Sequence, residues 1–337
     1  MQAQHSYERY VYSGFEAAQA FGVVYGGHFE HRLLSARRST MEHQRLVLGD
    51  MHIDTGCYDF PVVAQGAMPA DLICIGMVVD GLEGTRCNTR QIVEDDVQIY
   101  PRGVELLYHA KTGSRWITLT LPQTTFQQTA IERTGRPLAI PRGVVSTLLM
   151  RRGQRARLRQ MVDDALVFAR TLPCISPPLG AMMGNAILST YVDAVCAAEV
   201  EQGGATAVAE RRHHRLVVAC ERLVLDAPVL DVDLSEVARR SGYSLRSLQL
   251  VFRRAVGTTP GRWLTNIRLN GVLRELIAPT EDCRIGEVAT RWGFQHLPRF
   301  AQEYRRAFGE LPSVTLGRAL VSAAGVHLAP GAGASGP

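Results

Sequence analysis

Lysine is nearly absent from this 337-residue sequence: Lys111 is the only one among 37 basic residues. Contacts to phosphates, carboxylates or bases must therefore come from arginine, whose planar guanidinium donates hydrogen bonds in pairs. Cysteine is sparse too. Cys57, Cys74, Cys87, Cys174, Cys196, Cys220 and Cys283 form an odd set with no CxxC pair, which argues against a disulfide framework and a structural zinc site and leaves reduced, mostly core thiols. The longest apolar stretches, Leu72 to Val79 and Ala186 to Val200, are too short or too interrupted to read as bilayer spans. The opening residues MQAQHSYERY lack the apolar core of a secretory leader. A cytoplasmic protein with no membrane partner is expected. No Ser-His-Asp or Cys-His arrangement stands out, so no catalytic residue, enzyme activity or cofactor is assigned.

Hydrophobic residues make up 46% of the chain, enough for a full core and roughly two domains. The net charge of +5 is unevenly placed. Residues 230 to 320 hold 14 arginines against 9 carboxylates, while the remainder balances at 23 of each sign. The whole excess thus sits in one C-terminal segment, a modest footprint for a nucleic-acid partner.

Short β-branched and aromatic runs separated by Gly, Pro and Asp fill residues 23 to 121: Val23 to Tyr25, Leu46 to Leu48, Phe60 to Val63, Leu72 to Val79, Val97 to Tyr100 and Trp116 to Leu121. They predict an antiparallel sandwich or barrel. From Thr124 the pattern turns helical. Leu158, Met161, Val162, Ala165, Leu166 and Ala169 fall on one stripe of a helix over 155 to 172. Further helices are expected from Leu179 to Glu199, ended by Gln202-Gly203-Gly204, and from Ala209 to Leu225. Such helices suit either dimer contacts or packing within one chain. The expected divisions are 1–122 for a β domain, 123–208 for a helical dimerisation or linker region, 209–320 for a second, helical domain and 321–337 for a disordered tail.

An internal repeat lies between residues 234 and 312. Glu236-Val237-Ala238 recurs as Glu287-Val288-Ala289 and Gly242-Tyr243 as Gly293-Phe294, at an offset of 51. After a one-residue insertion, Phe252-Arg253-Arg254 matches Tyr304-Arg305-Arg306, Gly257 matches Gly309 and Pro260 matches Pro312. Each copy predicts a short helix, a glycine turn and a longer helix. In the first copy Ser244 caps a helix with Leu248, Val251 and Phe252 inside. Arg246, Gln249, Leu250, Arg253 and Arg254 fall outside. In the second, Leu297, Phe300 and Tyr304 are expected inside, and His296, Arg299, Gln302, Arg305 and Arg306 outside. Pro298 is harmless in a first helical turn. Trp263 to Leu276 predicts an apolar connecting helix. Arginine pairs bidentately with guanine and glutamine with adenine, so Arg246, Gln249, Arg299 and Gln302 are the candidate base readers. Arg253, Arg254, Arg305 and Arg306 are the candidate phosphate contacts.

The second copy, IGEVATRWGFQHLPRFAQEYRRAFGELPS, and the first with its connecting segment, SGYSLRSLQLVFRRAVGTTPGRWLTNIRLN, resemble the DNA-binding domain of the AraC/XylS regulators. The resemblance covers residues 230 to 318. It implies two recognition helices in successive major-groove faces of double-stranded promoter DNA, one turn apart. It also implies RNA polymerase as a partner, a small-molecule effector and a homodimer. RLNGVLRELIAP, WGFQHL and GELPSVTL are most similar to the ethanolamine-operon activator subgroup, with GGHFEHRLL and IDTGCY similarly placed in the N-terminal half. That likeness implies an N-terminal cupin-like β-barrel with flanking helices, joined to an all-α domain with two helix-turn-helix units, an α+β two-domain fold. The subgroup's ligand is not carried over. The sequence departs from the subgroup at Pro298 and from many relatives at Leu250.

Asp95 to Gly103 resembles the strand and Pro-Gly turn of cupin barrels. His28, His31, His43, His52 and His109 raise the question of a metal, but their order lacks the His-x-His pair with downstream Glu and His of cupin enzymes, and no metal ligand is assigned. Two rival readings stay open, a cupin-type metalloenzyme fused to a DNA-binding domain and a ligand-independent DNA-binding protein.

Overall fold

The computed structural model describes residues 5–34, 39–140, 142–200, 205–229 and 232–327. Its contacts divide the chain into an N-terminal unit made mainly of residues 1–215 and a C-terminal unit made mainly of 216–337. The first is rich in β-sheet and the second is helical.

Two antiparallel sheets build the N-terminal unit. The larger contains β1 (His5–Ser13), β3 (Thr40–Leu48), β4 (Met51–Tyr58), β6 (Leu72–Asp80), β9 (Asp96–Tyr100), β11 (Ser114–Pro122), β12 (Ser146–Leu149) and β13 (Glu199–Val200), in the order β1-β3-β4-β11-β6-β9-β12-β13. The smaller contains β2 (His28–Leu33), β5 (Val62–Ala67), β7 (Arg86–Cys87), β8 (Arg90–Gln91) and β10 (Glu105–Ala110), in the order β2-β5-β10-β7-β8. The expected closed barrel is therefore corrected to two open sheets. A third layer adjoins the larger sheet: α1 (Gln123–Thr134), α2 (Gln154–Thr171) and α3 (Pro177–Ala197) cover one of its faces, so that central strands such as β6 are buried on both.

Strand β6 shows what this demands of sequence. Ile73, Ile75, Met77 and Val79 join one apolar cluster with Ile117, Leu119 and Leu121 of β11, Phe126 and Ala130 of α1, Leu158, Val162 and Leu166 of α2, and Ile187, Tyr191 and Val192 of α3. Cys74 and Val78, on the opposite face, are buried as well. Both sets of alternate residues are apolar, which is why 72 to 79 reads as a continuous run. The predicted stripe of α2 is thus consumed within the chain. α3 is long and apolar enough to cross a bilayer, contrary to the sequence expectation for this stretch, yet its buried residues Ile187, Tyr191, Val192 and Val195 serve the same cluster.

Val23 to Tyr25, expected as a strand, lies in turns instead. Gly26 there has φ +70°, a conformation that breaks extended pairing. The helix expected from Leu179 to Glu199 ends at Ala197, and Glu199 lies in β13; its expected terminator at 202–204 falls outside the described residues. The histidines do not converge. His43 Nε2 lies 2.9 Å from the buried Asp54 carboxylate, His31 Nε2 lies 2.8 Å from the Tyr58 hydroxyl, and the His52 and His28 rings stack on Tyr25 and Phe21. Among the described residues, no group of three or more His, Cys, Asp or Glu is placed to hold a metal.

Burial lowers the His31 pKa from 6.5 to about 4. The unfolded chain therefore takes up a proton below pH 6.5 that the folded one refuses. The associated stability is complete above 6.5 and lost as pH falls toward 4. Urea unfolding should show the N-terminal unit about 2 kcal/mol less stable at pH 5 than at pH 7 through this residue. His31→Asn should flatten that slope. Parallel pH dependences for the two proteins would reject a neutral, buried His31.

Candidate nucleic-acid interface

The C-terminal unit is assembled from α4 (Ala205–Asp226), whose first part belongs to the N-terminal unit, and from α5 (Leu234–Arg240), α6 (Leu245–Val256), α7 (Pro260–Ile277), α8 (Ile285–Arg291), α9 (Leu297–Phe308) and α10 (Pro312–His327). The repeat is visible in the element lengths. α5 and α8 have 7 residues each at an offset of 51, and α6 and α9 have 12 each at an offset of 52. Pro312 opens α10 as Pro260 opens α7, so the repeated unit has three helices. The tail expected to be disordered from 321 is helical as far as His327, because α10 is the counterpart of α7. Residues 328–337 lie outside the described residues.

The same caps end the helices of both copies. Gly242 and Gly293 take left-handed φ values of +73° and +81°. Their N–H groups donate to Arg239 O and Thr290 O at 3.1 and 2.9 Å, and the next residues, Tyr243 and Phe294, donate to Ala238 O and Ala289 O at 2.8 and 2.9 Å. This paired arrangement satisfies carbonyls that a helix end leaves open and turns the chain sharply. Ala238 and Ala289 are fully buried, where a larger side chain would push the second helix away. At the far ends, Gly257 and Gly309 donate to Arg253 O and Arg305 O at 3.1 and 2.8 Å.

Starts of the helices differ. The Asp233 carboxylate accepts from the Ser235 and Glu236 N–H groups at 2.9 and 3.3 Å, and Ser244 Oγ accepts from Ser247 N–H at 3.1 Å. His296 precedes α9 without a side-chain cap. Pro298 in the first turn removes one donor that would otherwise need a partner.

Leu248, Val251 and Phe252 are buried in α6, and Phe300, Tyr304 and Phe308 in α9. Tyr304 is locked by its hydroxyl donating to Thr315 Oγ1 at 3.0 Å, and Thr315 donates on to Glu310 Oε1 at 2.6 Å. On the outer faces Arg246, Arg253, Arg254, His296, Arg299, Gln302, Arg305 and Arg306 are all exposed. Gln249 is half-buried. Leu297, expected inside, is 45% exposed; it starts the helix, a turn ahead of the packed Phe300. Arg299 Nε donates to Glu303 Oε1 at 3.0 Å. Among the described residues Arg246, Arg253, Arg254, Arg305 and Arg306 make no ion pair within the chain.

The offset of 52 sets Ser247 against Arg299 and Leu250 against Gln302, while Arg253 and Arg254 match Arg305 and Arg306. The two outer faces therefore share their basic end and differ in the preceding two turns. Leu250 is 47% exposed on this face.

Sequence reasoning did not single out the residues that hold the second unit in place. Trp292 lies against Gly271 of α7, where a Cβ would meet the indole at 2.3 Å. Its Nε1 donates to Glu275 Oε1 at 2.6 Å, and Arg291 also donates to Glu275, which holds the guanidinium above its ordinary pKa. Nearer the start of α7, Trp263 Nε1 donates to the buried Glu221 at 2.6 Å. The only signal in the sequence is a tryptophan beside the second turn and a glycine inside a predicted helix.

Residues 237–318 match the helix-turn-helix domain family. The chain is 44% identical over 84 residues to a probable thc operon regulatory protein of Rhodococcus erythropolis, covering 25% of this chain and 25% of that protein. It is 45% identical over 86 residues to the XylDLEGF operon transcriptional activator 2 of Pseudomonas putida, covering 25% of this chain and 55% of that protein. The chain thus spans a quarter of the first relative's length and about half of the second's. A probable AraC family transcriptional regulator from Rhodopseudomonas palustris aligns at 28% identity and a TM-score of 0.29, covering 31% of this chain and 97% of that one.

Gly293 combines a left-handed φ with a Cβ position 2.4 Å from the Pro228 carbonyl oxygen. Gly293→Ala should destabilise the C-terminal unit by about 3 kcal/mol in urea unfolding. Gly261→Ala, in α7 with open space around its Cβ, should be neutral or stabilising by about 0.5–1 kcal/mol. Equal effects of the two would contradict the turn geometry.

Proposed function

We propose, from a C-terminal domain of the AraC/XylS helix-turn-helix type, that this chain is a sequence-specific regulator of transcription that binds double-stranded promoter DNA. The observation that carries the proposal is the duplicated unit, with the same glycine caps at its helix C-termini and exposed arginines on both second helices. A helix-turn-helix presents its second helix to the major groove. There Arg246, Gln249, Arg299 and Gln302 read base edges, while Arg253, Arg254, Arg305 and Arg306, with His296 at the helix start, set position against the backbone.

The wider reading is a ligand-responsive activator of a nearby metabolic operon, working as a cytoplasmic homodimer with RNA polymerase and not as an enzyme. Activation is supported by the relatives from Pseudomonas putida, which are XylDLEGF operon transcriptional activators. The effector enters the N-terminal unit and acts by binding two arrangements of the protein with different affinity. The likeness to ethanolamine-operon activators rests on the short motifs given above alone, and no ligand is taken from it.

Electrophoretic mobility shifts with DNA from upstream of the chain's own gene test the interface. Arg299→Ala should weaken specific binding by about 1–3 kcal/mol and relax preference at one base pair. Arg305→Ala should weaken binding to specific and random DNA alike and reduce the salt dependence. Parental affinity in both variants would remove α9 from the interface.

A further inference from the structure

The larger sheet of the N-terminal unit ends on β1, and among the described residues no strand lies beyond it. A free edge presents a row of open N–H and C=O groups, which proteins guard with proline, a bulge, a very short strand or charged side chains, lysine above all. β1 has no proline, no lysine and no bulge. It runs nine residues, HSYERYVYS, and pairs with β3 in unbroken register from His5 opposite Leu48 to Ser13 opposite Thr40. Its middle is open to solvent: Glu8 and Arg9 are exposed, Tyr10 is 41% exposed and Val11 48%. Both of its charges are already engaged within the chain. Arg9 donates to the Glu42 carboxylate at 3.0 and 2.7 Å, and the Tyr10 hydroxyl donates to Glu8 at 2.6 Å.

Three hydrogen bonds show which backbone groups face outward. Gly14 N–H donates to Ser39 O at 2.7 Å, one step beyond the pair formed by Ser13 and Thr40, so that last pair exchanges no backbone bonds. Ser13 N–H donates instead to Glu16 Oε2 at 2.8 Å, and Thr40 O accepts from Asp59 N–H at 3.2 Å on the far side of β3. Antiparallel bonding alternates along a strand. The N–H and C=O groups of His5, Tyr7, Arg9 and Val11 therefore lie on the open side of β1, while those of Ser6, Glu8, Tyr10 and Tyr12 serve β3.

We propose that the occupant of this edge is β1 of a second copy of the chain, paired antiparallel about a two-fold axis that passes through Tyr10. Two identical strands joined in this way cross at one residue, which then faces itself. Crossing at Glu8 or Arg9 sets like charges directly opposite each other, a destabilising arrangement. Crossing at Tyr10 sets the two phenol rings opposite in a closely spaced pair, and Arg9 of each copy opposite Val11 of the other in a hydrogen-bonded pair. Glu8 then faces Tyr12. Crossing beyond Tyr10 shortens the overlap. The inference names the surface of the homodimer proposed above and rests on that reading for its regulatory meaning.

Sedimentation velocity of the full chain at micromolar concentration should show a dimer. Val11→Lys should fold, because Glu42 faces position 11 across the β1–β3 ladder, but it sets a second cation against Arg9 of the other copy. The clash occurs twice across the two-fold, so dimerisation should weaken by at least about tenfold. Val11→Pro deletes an N–H that β3 does not use and should also dissociate the dimer. Phe168→Ser, at an exposed position of α2, should leave it intact. A monomeric parent, an unchanged dimer in both Val11 variants, or a dimer lost only in Phe168→Ser would each overturn the inference. Mobility shifts on the same preparations separate the two readings. Specific DNA binding by a parent that stays monomeric removes the β1 surface alone. A dimer that Val11→Lys dissociates, in a chain without specific DNA affinity, removes the regulator reading and leaves the surface standing.

Discussion

The C-terminal unit depends on a helix with no exposed stripe. Trp263, Leu264, Ile267, Leu269, Val272, Leu273 and Leu276 of α7 point in all directions around its axis, and all are buried. Such a helix has to be enclosed. α8, α9 and α10 pack on it, and the approach is closest where Gly271 admits the Trp292 indole. Apolar enclosure alone would leave the second unit free to rotate or slide. The hydrogen bond from Trp292 to Glu275, reinforced by Arg291, supplies a directional stop at this contact. The orientation of α9, and hence of every outward arginine on it, follows from that seat.

An equivalent demand shaped the N-terminal unit. A sheet covered by helices on one side and by a second sheet on the other cannot follow the alternating pattern of a half-solvated strand. Continuous apolar runs such as 72 to 79 carried the strands into the sequence reading but hid which layer lay on which face. They could not distinguish closure into a barrel from a three-layer stack. The short strands β7, β8, β12 and β13 left no periodic signal because two to four residues give none. β12 and β13 extend the sheet beyond a stretch that otherwise reads as helical.

The repeat was legible because its positions have backbone reasons. Glycine at 242, 257, 293 and 309 is required by left-handed φ values, and the alanines by close helix crossing. Both constraints recur wherever the unit recurs, so they survive as sequence self-similarity. α10 escaped because the marks of a terminal tail, small residues and glycine, outweighed the Pro260 to Pro312 match that already implied a third helix. The half-burial of Gln249 and the exposure of Leu297 were missed for a simpler cause. A helical wheel assigns faces from angles alone, whereas these two sit at the edges of the stripe, where tertiary neighbours decide. Trp292 and Glu275 are 17 residues apart, a tertiary pairing beyond the reach of local pattern.

The pairing of Arg299 with Glu303 bears on how such an interface would work. Both ends lie on the outer face of α9, with Arg299 78% exposed in its side chain. An exposed i,i+4 pair contributes about 0.3–0.5 kcal/mol, less than the roughly 1–3 kcal/mol that a bidentate guanine contact discriminates. The pair is therefore weak enough to be exchanged for a base, and until then it holds the guanidinium along the helix instead of letting it sample many rotamers. No such pair restrains Arg246 on α6, and Leu250 replaces the amide that Gln302 presents. On the proposed reading, the first unit would add an apolar contact such as a thymine methyl, through Leu250, to the hydrogen bonds of Arg246 and Gln249, while the second would read through Arg299 and Gln302. On the same reading, the shared Arg253-Arg254 and Arg305-Arg306 ends would give both helices the same grip on the backbone, and the difference between them would concern which bases are read and not whether DNA is held.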